Sequence, residues 1–176
     1  MEIIKTSIEG LVIIQPKVFE DERVYFMESY KENFIKENFP DIHFIQDNES
    51  KSSYGVLRGL HFQKPPFEQT KLVRVIEGEV LDVAVDLRKD STTYGKWESI
   101  ILSGENKKQF LIPKGFAHGF LVLSSSAIFS YKVDNYYSPE HDSGISYKDK
   151  TLDIDWILPE KDLIVSKKDR ALEYLK

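Results

Sequence analysis

Short runs rich in β-branched and aromatic residues recur along the chain, and turn-forming residues separate them. Ten such runs are predicted as strands: 10–14, 24–30, 42–46, 55–63, 71–76, 79–87, 97–102, 109–112, 119–123 and 127–133. This spacing is that of an all-β sandwich or barrel. Within 79–87, Leu81, Val83, Val85 and Leu87 share one side of the pleat, while Asp82, Ala84 and Asp86 share the other. The alternation predicts a strand with one face in the core. Glu77-Gly78, between two of the runs, reads as a tight hairpin turn. One segment departs from period two. Phe34, Ile35 and Phe39 fall at roughly helical spacing with Pro40 as a stop, which predicts a short helix over 32–39. The charged tail from Glu160 onward suits another helical turn or two. No repeat, low-complexity tract or Gly/Ser-rich linker divides the chain. Residues 1–176 therefore read as one all-β domain, a jelly roll with a few short helices.

Composition narrows the function classes. At 176 residues with 41% apolar content, one domain can bury a substantial core unaided. The chain has no cysteine, so disulfides and thiolate metal sites are excluded, which fits a reducing cytoplasm. The first nine residues carry charges and no apolar run of signal-peptide length, and no run elsewhere approaches the ~20 residues that span a bilayer. A soluble cytoplasmic protein with no membrane partner is the expectation. The net charge of −5 argues against a nucleic-acid partner, which demands a basic face, yet leaves room for a local pyrophosphate pocket.

Chemistry concentrates around two of the four histidines. His61 lies in Gly55-Val56-Leu57-Arg58-Gly59-Leu60-His61-Phe62-Gln63, and His118 lies in Pro113-Lys114-Gly115-Phe116-Ala117-His118. The second stretch, PxGxxH, resembles the second motif of the cupin superfamily, in which Pro and Gly shape a turn and the His points into the barrel. Metal-binding cupins add an HxH pair and a Glu. Here Phe62 and Gln63 stand where further ligands belong, leaving two of the three or four ligands a transition metal requires. No metal and no cofactor are expected. Strict alternation along this strand would turn Arg58 and His61 to opposite faces. If both serve one pocket, the strand must bulge, and Gly59 is the natural place.

The stretches FIQDNES, GVLRGLHFQ, QTKLVRVIEGEVLDVAVDLRKDSTTYGKW, IPKGFAHGFLVLS, YKVDNYYSPEHDSGI and VSKKD are similar, in order, to the motifs of the dTDP-4-dehydrorhamnose 3,5-epimerase family. That resemblance implies a cupin-type jelly roll acting on a dTDP-linked 4-keto-deoxysugar. The family inverts the carbons flanking the 4-keto group through an enolate, without a redox cofactor. It further implies His61 as the base, backed by the Asp169 carboxylate, with Lys71 steadying the enolate and His118 nearby. Tyr131 would be the acid on the opposite face of the sugar. Tyr137 matches the residue that stacks on thymine. Arg23, Arg58 and Lys168 match phosphate and sugar contacts, and Glu28, Gln46, Asp47, Asn48 and Asp142 match further substrate-binding positions. Imidazole suits the base because its ordinary pKa of ~6.5 lies near working pH. Taken alone, Lys71 would read as a surface cation and Tyr131 as packing.

Two departures stand out. Val24 replaces the glycine that usually follows Arg23, which puts the placing of Arg23 in question, and Thr70 replaces the small residue before Lys71. The motifs leave open an epimerase that inverts one carbon only, a ketoisomerase of a related sugar, or a cupin that binds a nucleotide sugar without catalysis. The resemblance also implies a homodimer with N-terminal strands reaching the partner's sheet, and a role in surface-polysaccharide deoxysugar synthesis.

Overall fold

The computed structural model describes residues 1–175; position 176, the last of the single-domain reading, lies outside the described residues. The strands are β1 (Glu2–Lys5), β2 (Val12–Gln15), β3 (Val18–Asp21), β4 (Val24–Met27), β5 (Gln46–Ser53), β6 (Val56–Gln63), β7 (Lys71–Glu77), β8 (Glu79–Asp86), β9 (Trp97–Ser103), β10 (Gln109–Ile112), β11 (Phe116–Val122), β12 (Ser126–Val133), β13 (Asp142–Gly144) and β14 (Ile164–Val165). Helices α1 (Glu32–Asn38) and α2 (Lys167–Arg170) and a 3-10 turn at Glu160–Asp162 complete the set. One sheet runs β1-β2-β10-β7-β12-β5, and the other runs β13-β6-β11-β8-β9 with β14 parallel against β6. The all-β jelly roll expected from the strand spacing is thus the architecture found.

Between the sheets lie Val73, Val75, Phe110, Ile112 and Phe129 from the first and Val80, Ala84, Leu102, Phe116, Phe120 and Val122 from the second. The back of the second sheet is also covered: Leu81, Val83, Val85 and Leu121 pack against Ile145, Tyr147, Leu152 and Trp156 of the C-terminal segment. On the back of the first sheet, Val12, Ile14, Leu72 and Leu111 pack against Ile35 of α1. Sheets covered on both faces need near-continuous apolar strands, and every residue of β10 and β11 is buried.

This double cover corrects the one-faced reading of 79–87. Leu81, Val83 and Val85 do share a face, but Asp82 and Asp86 on the other face are fully buried as well. The hairpin reading of Glu77-Gly78 is also corrected: β7 and β8 belong to different sheets, so Gly78 carries the chain across the sandwich. Its φ is +83°, and a Cβ there would lie 2.1 Å from Ser126 O, which leaves room only for glycine. The strand expected at 42–46 is irregular until Gln46, and the strand proper is Gln46–Ser53. That segment, QDNESKSS, is polar and forms the sheet edge, so no apolar pattern announces it. The strand expected at 24–30 ends at Met27 and pairs only with β3, in an exposed two-stranded arm. Helix α1 forms where periodicity placed it, with Glu32 and Lys36 paired at i,i+4.

Candidate active site

The bulge anticipated at Gly59 is present. β6 pairs with β11 as His61↔His118 and Arg58↔Phe120, and the register shifts between them. Gly59 takes a φ of +128°, and a Cβ there would lie 2.5 Å from Gly119 Cα. The extra residue turns Arg58 and His61 to the same, inner side. Both line a cavity of about 530 Å3 between the sheets, with Lys71, His118, Tyr131, Lys168 and Asp169. Phe120 and Phe129, stacked at 4.2 Å, contribute apolar wall.

His61 Nε2 lies 2.7 Å from Asp169 Oδ1. A carboxylate only accepts, so Nε2 donates in this bond, and in the neutral form of the ring it is Nδ1 that carries the free lone pair. Asp169 is 3% exposed, on α2, where the Ser166 hydroxyl caps the helix by accepting from the Asp169 amide. Burial pushes the Asp169 carboxyl up, but the hydrogen bond and charge of His61 outweigh it and hold the group below its ordinary value. The pair is therefore an ionised carboxylate beside an imidazole, at a half-exposed lip of the cavity.

Lys71 and Tyr131 enter from the other sheet. Lys71 begins β7 on its inner face, and desolvation brings its ammonium down to about 8, with Asp82 and Asp142 opposing that fall. Tyr131, on the inner face of β12, has its phenol pushed up by desolvation, so it is a protonated donor at neutral pH. His118, inside the sandwich, sits 3.0 Å from both Asp82 carboxylate oxygens. Burial holds its imidazole below the ordinary value, against the pull of Asp82. Asp82 was not singled out as a site residue in the sequence. Its signal was a carboxylate on the face of an otherwise apolar strand.

The remaining candidates fall into three groups. Tyr137 OH donates to Asp142 Oδ2 at 3.0 Å, and Asp142 also pairs with Lys168, which joins these three residues to the cavity wall. On β5, Asn48 lies opposite Tyr131 and accepts from Gln46 Nε2 at 2.9 Å, so this pair shares the inner face. Asp47 faces the opposite way, paired at 2.7 Å with Lys132. Arg23, paired with Asp21, and Glu28, paired with Lys31, stand on and just beyond the β3–β4 arm, outside the cavity lining. Ser52, which the sequence reading also passed over, accepts from Arg58 Nε and Nη2 at 3.2 and 3.1 Å and orients that guanidinium.

A jelly roll with a carboxylate-backed histidine on one sheet and a tyrosine and a lysine on the other, all lining one cavity, has the donors and acceptors that proton transfer at a small molecule requires. Comparison with known proteins makes the class specific. The family model described as dTDP-4-dehydrorhamnose 3,5-epimerase matches residues 5–176. A dTDP-4-dehydrorhamnose 3,5-epimerase of Methanothermobacter thermautotrophicus is 56% identical over 168 residues, covering 95% of this chain and 90% of its own. The crystal structure of the Elizabethkingia anophelis enzyme of that name superposes with a TM-score of 0.95 at 53% identity, covering 99% and 96% of the two chains. A Legionella pneumophila epimerase in complex with dTDP-4-keto-L-rhamnose gives 0.94 at 52% identity, covering 98% and 92%. The chain belongs to the dTDP-4-dehydrorhamnose 3,5-epimerase family, a family of isomerases. Among the described residues no helix is long and apolar enough to cross a membrane.

Proposed function

We propose that this chain converts dTDP-4-dehydro-6-deoxy-glucose to dTDP-4-dehydro-L-rhamnose by inverting carbons 3 and 5. The observation that carries the reading is the His61–Asp169 pair and Tyr131 facing one cavity from opposite sheets. His61 Nδ1 takes the proton from the carbon next to the ketone, and the electron pair delocalises onto the carbonyl oxygen. The Lys71 ammonium hydrogen-bonds that oxyanion; a pre-organised donor of this kind is worth about 3 kcal/mol of barrier. Tyr131 then delivers its phenolic proton to the same carbon from the other face, inverting it. Solvent takes the proton from His61 and restores that of Tyr131, so atoms and charge balance without a redox step. Asp169 fixes the His61 tautomer and stabilises the imidazolium.

The nucleotide reading follows the rim. Tyr137 stacks on thymine, which is worth about 1–3 kcal/mol. Arg58 and Lys168 meet phosphate and sugar, and Gln46, Asn48 and Asp142 complete the pocket. Arg23, Glu28 and Asp47, which lie outside this chain's cavity, serve in a homodimer whose arms reach the partner subunit. The exposed apolar residues of the arm and the unpaired sheet edges support that assembly. The absence of cysteine fits a cytoplasmic enzyme supplying L-rhamnose for surface polysaccharide.

The test is incubation with dTDP-4-dehydro-6-deoxy-glucose in D2O, followed by NMR beside a His61→Ala variant. Deuterium should enter at carbons 3 and 5, and the variant should abolish it. Label at one carbon would restrict the activity to a single inversion, and label at neither would overturn the catalytic reading.

A further inference from the structure

Gln63 is 6% exposed and commits its whole amide to two loops. Nε2 donates to Phe67 O at 2.6 Å and to Tyr136 O at 3.1 Å, while Oε1 accepts from the Ser138 amide at 2.6 Å. Tyr136 and Ser138 flank Tyr137, so one side chain grips the backbone on both sides of that residue. Apolar packing contributes little at this point of the loop, since Tyr136 and Tyr137 are 63% and 58% exposed. Just upstream, the same loop is tied to the segment before β7 by Gln69 Nε2 donating to Asn135 O at 2.8 Å and the Thr70 amide donating to Asp134 at 2.7 Å, so Gln63 is the anchor at Tyr137 itself. Gln63 also lies two residues from His61 on β6 and opposite Asp142, the carboxylate that accepts from Tyr137 OH.

We infer that Gln63 is a positioning residue: it ties the Tyr137 platform to the strand that carries His61, setting where the base of the nucleotide rests relative to the reacting carbons. Buried amides that satisfy several backbone groups rigidify their surroundings, because releasing any one leaves an unpaired polar group. A platform held in place before binding also spares the ordering cost that a loose loop would incur on contact with ligand. The glutamine at a position where metal-binding cupins place ligands thus has an organising role here.

The inference rests on the reading of Tyr137 as the nucleotide stack, and it is tested by dTDP binding, which needs no turnover. Calorimetry would compare the wild type, Gln63→Leu, Tyr137→Ala and the double variant. Gln63→Leu should weaken dTDP about tenfold, and in steady-state assays KM should rise with kcat held within about threefold. In the Tyr137→Ala background the same change should cost little further, because the platform it positions is gone. Equal loss in both backgrounds would overturn the positioning role while leaving Tyr137 as the stack. Unchanged binding in Tyr137→Ala alone would overturn both. Should Gln63→Leu fail to fold, Gln63→Glu, which keeps the acceptor for the Ser138 amide and loses both donors, reads the same cycle.

Discussion

Lys71 shows how one residue's environment sets both chemistry and stability. Burial lowers its ammonium to about 8 from 10.5, so the folded chain gives up a proton that the unfolded chain still binds between those values. Stability therefore rises with pH across that window, and below it the charged lysine costs the fold its full desolvation. The buried charge of Asp82 limits this cost by favouring the ammonium. Replacing Asp82 with Asn should lower Lys71 further and move the alkaline limb of kcat down by roughly one pH unit. A limb that stays in place would mean that Lys71 is not the titrating donor. Asp169→Asn addresses the other side of the site. It leaves the shape and removes the charge that balances an imidazolium, so kcat should fall about a hundredfold or more with KM little changed. Steady-state kinetics on the 4-keto substrate would check this, and a loss below about threefold would remove Asp169 from the proton-transfer step. The identity of His61, Lys71, Tyr131 and Asp169 as candidates was legible because six motifs occur in order. Their proximity was not, since β6 and β7 belong to different sheets and β12 and α2 lie far along the chain from both. Asp82 and Ser52 escaped because a polar residue in a strand has the same pattern whether it faces solvent or a buried partner.

At the scale of elements, the β6 bulge aims the chemistry. Without it, period two would send Arg58 or His61 into the apolar layer under the C-terminal segment. Gly59→Ala must fit a methyl against Gly119 in a backbone that L-residues avoid, and it should destabilise the fold by about 2 kcal/mol or more in chemical denaturation. A variant with wild-type stability would show that the bulge relaxes without glycine. The bulge was readable from the sequence because two site residues three apart on a strand conflict with the pleat, and a glycine lay between them. Strand β5 was misplaced for the opposite reason. An edge strand made of QDNESKSS carries no hydrophobic alternation, and its pairing with β12 is a matter of backbone hydrogen bonds available to any side chain.

Across the whole molecule, the β3–β4 arm pairs with neither main sheet. Val24 and Phe26 are 72% and 66% exposed; Phe19 packs on Phe26 at 6.4 Å, and the Lys17 and Lys107 ammonium groups lie over the Phe19 and Tyr25 rings. Apolar side chains displayed on a short ribbon gain by burial against another surface. In the homodimer reading that surface belongs to a second copy, which would also receive Arg23. Phe26→Asp should therefore shift the protein toward monomer in sedimentation velocity and weaken dTDP binding, with the β-sheet circular dichroism signal retained. A variant that sediments as the wild type would take the arm out of the interface.

Hydrophobic periodicity and turn chemistry determined by themselves that the chain folds as an all-β jelly roll and that α1 interrupts it; the bulge at Gly59 followed once Arg58 and His61 were read, from the motif resemblance, as sharing one pocket. These are local properties, because side-chain direction alternates along a strand and glycine alone tolerates the backbone required. Tertiary structure decided that both sheets are covered on both faces, that Gly78 crosses between sheets, and that Asp82 sits against His118 in the interior. It also decided that Gln63 grips the loop carrying Tyr137. Each of these depends on which distant segments pack together, and a burial partner far along the chain leaves no mark on the residues beside it.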